Sequence, residues 1–259
     1  MSRYSTPIIY TFEFLVVIFL FLITALFYIK KIDKGSLIIY LITGIFHTIM
    51  ELIAEGTGVR IIKDAYIFSF KISYPFLPII LGFFEGGMIC LGAYHFTRII
   101  ANKDKFSLKF FSILYAILFT LILIGSIQMK IQLESGQSEL TLTRRELFTS
   151  TSIILLAIFY TIAILYFILK QDLNNKERLS LIYYFIGVAL FTSVMNIPTH
   201  IAGVRFIEIE KNGVFIKASF LEQLFVLYVL DLILESGFYI QYYPIIFHFK
   251  IIEIKDKVV

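Results

Sequence analysis

The chain has 259 residues, 59% of them hydrophobic, with a mean hydropathy of +0.86 and a formal net charge of +4. A soluble domain of this length cannot bury so large an apolar excess, so much of it is expected to face lipid. The basic balance suits loops that meet phospholipid headgroups and points to no nucleic acid. A single cysteine, Cys90, excludes an intrachain disulfide and any thiolate metal cluster.

These properties predict an all-α integral membrane protein, a seven-transmembrane helix bundle forming one polytopic domain over 1–259, with short β-hairpin loops on one face. The first span, 8–29, ends in Lys30-Lys31 rather than at a small-residue cleavage site, so it reads as an anchor helix and not a signal peptide. A tight polar link, Lys30 to Ser36, leads to the second span, 37–54, which carries His47 and Glu51. The longer stretch from Val59 to Ser73 alternates like a hairpin around Lys63-Asp64. The third span, 76–100, carries Glu85 among Gly82, Gly86 and Gly87, small residues that let helices approach closely. Ala101 to Lys105 links it tightly to the fourth span, 106–128.

A second hairpin is expected from Lys130–Leu133 and Glu139–Thr143, flanking a polar turn. The fifth span, 148–169, and the sixth, 179–202, are joined by the tight link Lys170 to Arg178. Asn196, Pro198 and His200 approach the end of the sixth. Val204–Glu210 and Val214–Ala218 flank Lys211-Asn212-Gly213, the strongest turn signal in the chain. The seventh span, 220–243, carries Asp231 and Glu235. With seven spans, the three long links share the side of the N-terminus. Lys and Arg are denser in the tight links, so the positive-inside rule puts the N-terminus and hairpins outside and the C-terminus in the cytoplasm.

Two links open alike, Gly58-Val59-Arg60 and Gly203-Val204-Arg205, 145 residues apart. The same offset carries spans one, two and three onto five, six and seven. That offset fits a 3+1+3 parallel repeat with halves 8–100 and 148–243 and a linker helix at 106–128, and it fits equally well evenly spaced helices that only mimic a repeat. It sets His47, Glu51 and Glu55 opposite Thr192, Asn196 and His200, with Glu85 one residue out of register with Asp231.

No Lys or Arg lies well inside a span, whereas Glu13, Glu51, Glu85, Glu222, Asp231 and Glu235 lie within spans or at their ends. An ionised acid at mid-bilayer costs roughly 2.5–3.5 kcal/mol on insertion scales. Without a basic partner these acids are expected to be protonated, hydrogen-bonded, cation-bound or open to water. His47, Glu51 and Glu55 form one i, i+4, i+8 stripe. His47, Glu51, Glu85, Asp231, His200 and Asn196 are the candidate catalytic residues, expected to converge on an outward-biased pocket. No cofactor is indicated. A metal held by His47, Glu51 and Glu85 would instead suggest a hydrolase.

The stretch Gly44-x-x-His47-x-x-x-Glu51, with Glu85 on the next span, resembles the emopamil-binding sterol isomerases over two helices. That resemblance implies double-bond migration by proton transfer through His and Glu. Seven spans with hairpin loops depart from that family's smaller bundle. The leading expectation is a membrane enzyme doing acid/base chemistry, of isomerase or hydratase type, on an apolar lipid or isoprenoid. The alternatives are a proton- or cation-coupled small-molecule carrier of 3+1+3 design and a non-catalytic receptor or scaffold. The expected partners are the bilayer and a hydrophobic small-molecule ligand.

Overall fold

The computed structural model describes residues 2–5, 7–57, 60–61, 65–68, 70–136, 141–145, 150–211 and 214–254. Strand β1 (Ser2–Ser5) precedes helix α1 (Pro7–Ile29), whose leading proline sits where a missing N–H costs nothing. Helix α2 (Lys34–Gly56) starts at Asp33, whose carboxylate accepts from the Gly35 N–H. Strands β2 (Arg60–Ile61), β3 (Ala65–Ile67) and β4 (Phe70–Ile72) follow. Helix α3 (Phe76–Asn102) contains a π-helical turn over Gly82–Gly87. Helix α4 (Lys105–Ser135) is capped by Asp104 and closed by Gly136 at φ +66.

Strand β5 (Thr141–Arg145) leads to α5 (Ser150–Leu169) and α6 (Asn175–Ile201), the latter opened by an Asn174–Glu177 capping box. Strands β6 (Arg205–Phe206), β7 (Glu208–Lys211) and β8 (Val214–Lys217) precede α7, a helix over 220–240 with a π-helical segment at Phe225–Asp231. A short helix, α8 (Tyr243–His248), completes the order. The protein is mostly helical. Among the described residues, five helices (α1, α2, α3, α4 and α6) are long and apolar enough to cross a membrane, and α5 and α7 contribute shorter apolar stretches.

One sheet gathers strands from four places in the chain in the order β2-β5-β1-β6. Because β1 precedes α1 and the others follow α2, α4 and α6, the N-terminus and all three long links meet at one end of the bundle. The central pair is antiparallel, with Ser2 opposite Arg144 and Ser5 opposite Thr141. Arg60 lies opposite Arg145 at one edge, and Arg3 opposite Arg205 at the other.

The links differ from their expected form in three ways. The pairing of β7 with β8 is the expected hairpin, with Lys211 opposite Val214, while Asn212 and Gly213 lie outside the described residues. It is shorter than expected because β6 leaves it to pair with β1, so its strand begins at Glu208. After α2, β3 pairs with β4 as an antiparallel hairpin with Ile67 opposite Phe70, while the turn expected at Lys63-Asp64 lies outside the described residues. Among the described residues, the hairpin expected after α4 is not seen. Lys130–Leu133 continue that helix, where Met129 and Leu133 pack on Ala202 and Val204, and β5 pairs with β1 and β2 instead. An apolar pair four residues apart serves a helix as well as it fits alternation, and burial decides between them.

Close approach fixes the core. A Cβ at Gly92 would strike the Phe191 ring, and one at Gly187 would reach 2.8 Å from Ala93 Cα, so α3 and α6 pack almost backbone to backbone. Phe84, Met88, Leu91, Tyr184 and Phe191 are fully buried around this seam, whereas Leu22, Ile124 and Ile154 point outward.

Candidate functional site

The α2–α3 pair brings three of the expected residues together. Thr48 faces Gly82 and His47 faces Gly86, and a Cβ on either glycine would overlap its neighbour. The glycines let the helices touch, and the π-helical turn between them carries Glu85 beside His47. His47 Nε2 lies 3.7 Å from Glu51 Oε1 and 3.9 Å from Glu85 Oε2. Both His47 and Glu51 are buried, while Glu85 is partly open. The other face of the imidazole stacks on Tyr239 at 5.0 Å, and its Nδ1 lies 3.4 Å from the Tyr242 hydroxyl.

The expectation that these acids lack a basic partner is overturned by Arg60. From strand β2 its guanidinium reaches into the bundle: Nη1 lies 2.6 Å from Glu51 Oε2, and Nη2 donates to Glu85 Oε1 at 2.7 Å. Nη1 is also 3.3 Å from Glu85 Oε2, so both carboxylates share one planar donor. Burial alone would lower the pKa of Arg60, but the charges and hydrogen bonds of Glu51 and Glu85 outweigh it and push it well above the ordinary arginine value. The signal in the sequence was the Gly-Val-Arg repeated after spans two and six. An arginine in a link reads as a headgroup contact until the sheet is known to fold the link back over the helix ends.

The charge count follows. Two carboxylates and one guanidinium leave one negative charge in a water-poor interior, and only an added cation or proton balances it. His47 stands where that proton is held with the least separation of charge. Donor atoms of His47, Glu51 and Glu85 lie within 4.8 Å of one another, a spacing that would suit a divalent ion. Arg60 already binds both carboxylates through Glu51 Oε2 and Glu85 Oε1, and a metal there would face its positive charge across shared ligands. The donor set therefore fits a proton better than a metal.

The remaining candidates lie elsewhere. Asn196 is buried on α6, and His200 meets the Tyr228 ring edge-on at 5.3 Å. The side chains of Asp231 and Glu235 lie outside the described residues. Glu222 caps its own helix, with Ser219 N and Oγ donating to its carboxylate at 2.8 and 2.7 Å. Glu13 is buried on α1, and Glu55 is half-buried at the end of α2.

A second polar cluster lies at the opposite end of the same helix pair. Asp33 Oδ2 accepts from Ser36 at 2.8 Å and from Arg98 Nη1 at 2.6 Å, and its Oδ1 accepts from Tyr94 at 3.0 Å. Arg98 also pairs with Asp104, which accepts from Ser107 Oγ at 3.0 Å. His95 is fully buried between the two serines, with Nε2 3.0 Å from Ser36 Oγ and Nδ1 2.9 Å from Ser107 Oγ. A cavity of about 460 Å³ reaches Asp33, Tyr94, Arg98 and Asp104 and is bordered by Lys250 and Glu253 of the C-terminal segment. The available signal was Asp-Lys-x-Ser, which occurs at 33–36 and again at 104–107, a helix-capping pattern each time.

Compared with protein-family models, with curated proteins and with solved structures, the chain finds no match, so its chemistry rests on these residues alone.

Proposed function

We propose that this chain is a seven-span membrane enzyme in which His47, Glu51 and Glu85 carry out acid/base chemistry on an apolar lipid or isoprenoid, with isomerisation or hydration as the reaction. In this reading α5 and α7 complete the bundle, the sheet end faces outward and the C-terminus lies in the cytoplasm. The observation that carries it is one imidazole within 4 Å of two carboxylates that both pair with Arg60. Such a site can give a proton to one alkene carbon from the imidazolium and take one from the allylic carbon with a carboxylate. The double bond moves, the proton count is restored, and no cofactor is consumed. For hydration, water adds to the cation and gives its proton to a carboxylate in place of that loss. Arg60, Tyr239 and Tyr242 are positioning residues. The stacked ring holds the imidazole plane, and aromatic faces favour a developing carbocation.

The test is incubation of the purified protein in lipid nanodiscs with a mixed isoprenoid and sterol extract, read by chromatography and mass spectrometry. A new isomer at unchanged mass, or a product heavier by one water, is expected with the wild type and not with Glu51→Gln or Glu85→Gln. An unchanged extract overturns the reading.

One observation favours the carrier instead. Strands β2 and β6 sit at the 145-residue offset, each beside the other half's leading strand, and both α3 and α7 contain a π-helical segment. This pattern supports two parallel three-span units about an axis near the Ser2–Arg144 pair. Proton uptake by vesicles driven by a small solute, with the extract unchanged, would establish the carrier.

A further inference from the structure

The hydrogen-bond geometry around His95 constrains its proton count. Four contacts run in a line, Asp33–Ser36, Ser36–His95, His95–Ser107 and Ser107–Asp104, at 2.8, 3.0, 2.9 and 3.0 Å. Each needs one hydrogen. The two serine hydroxyls and a neutral imidazole supply three, because ionised aspartates supply none. With neutral His95, two lone pairs would face each other at one of the four contacts, around a ring and two serines that are fully buried.

We propose that His95 is the centre of a second proton-binding site, holding one proton as an imidazolium and exchanging it with water through the cavity at that end of the bundle. The charges agree. Asp33 and Asp104 against Arg98 leave one negative charge, which the imidazolium cancels. The groups facing the ring are Asp33 and Ser36 at the start of α2, Tyr94 and Arg98 on α3, and Asp104 and Ser107 at the start of α4. The Phe106 and Phe110 rings stand at 6.0 and 4.6 Å and add no charge, and Lys250 and Glu253 border the cavity only.

The route is a two-step hop that balances. A proton arriving on Asp104 Oδ2 passes to Ser107 Oγ as the serine's own hydrogen passes to His95 Nδ1. Asp104 is left ionised, Ser107 again donates to it, and the ring becomes an imidazolium. The same hop operates through Asp33 and Ser36 to Nε2. Loss of the proton reverses one hop and leaves that serine donating to the ring instead of to its aspartate, so the caps of α2 and α4 sense the protonation of His95. None of this depends on the chemistry proposed for His47.

The experiment is nitrogen NMR of the full chain in nanodiscs with labelled histidine. The sequence has four histidines, so His95 is assigned by the signal missing from His95→Gln. Two protonated ring nitrogens on His95 near neutral pH are expected. In Ser107→Ala two contacts are gone, a neutral ring satisfies the rest, and the imidazolium signature should disappear while the fold persists. A single neutral tautomer in the wild type overturns the proposal, as does an imidazolium that survives Ser107→Ala. If His95→Gln fails to fold, Ser107→Ala carries both the assignment and the test.

Discussion

Two polar clusters sit at opposite ends of the α2–α3 pair, and they are built from the same parts: two carboxylates, one arginine and one histidine. Around His47 the imidazole faces the carboxylates directly at 3.7 and 3.9 Å, beyond hydrogen-bond length, and its arginine arrives from a strand. Around His95 a serine fills each gap, every contact is 2.8–3.0 Å long, and both aspartates cap helices. The inventory of charges is therefore a poor guide to role. Spacing decides whether a cluster has room for a reacting molecule or is closed by its own hydrogen bonds.

The largest effect is expected at Arg60. Replacing it by Met strands the buried Glu51 carboxylate and the partly open Glu85 carboxylate, and breaking a buried pair from one side costs about 3–5 kcal/mol. Unfolding in mixed micelles titrated with SDS should show that loss, and Glu51→Gln with Glu85→Gln added should recover most of it. A Met variant as stable as wild type would mean that the two acids are already solvated.

Gly86→Ala comes next. Its methyl group would overlap His47, and such overpacking typically costs about 1–3 kcal/mol. Here the expected loss of activity exceeds the loss of stability, because the displaced group is the imidazole. Unchanged turnover in this variant would separate His47 from the chemistry.

The smallest effect is at Asp104, where loss of a cap costs about 0.5–2 kcal/mol. Burial pushes its pKa up, but Arg98 and the hydrogen bonds from Ser107 and Phe106 outweigh it, so the folded value lies below the ordinary one. A depressed carboxylate pKa stabilises the fold fully above the unfolded value, about 3.9, and the gain fades as pH falls through the folded value. Thermal melting followed below about pH 4 should steepen in wild type relative to Asp104→Ala. Parallel melting curves would show that Asp104 is not held ionised by the fold.

Local periodicity made the helices legible, because span length and apolar content depend on neighbouring residues only. It also found His47, Glu51 and Glu85, since ionisable groups stand out in an apolar run. It failed where partners lie far apart in sequence. Arg60 joins the site only because β2 pairs with β5 some eighty positions later, and no local pattern encodes that pairing. Likewise Lys130–Leu133 alternate as a strand would, yet Met129 and Leu133 are claimed by Ala202 and Val204. The second cluster was legible in principle through Asp-Lys-x-Ser, but two caps acquire meaning only when His95 stands between them.

The most direct test of proton transfer at the His47 cluster is solvent isotope incorporation. The nanodisc protein would be incubated with the isoprenoid and sterol extract in deuterated water, and each lipid would be followed by mass spectrometry. The account expects a carbon-bound deuterium to enter one class of alkene with the wild type, and to be absent with His47→Gln, Glu51→Gln and Glu85→Gln at comparable folding. Equal incorporation by wild type and all three variants, or none by the wild type, would contradict it.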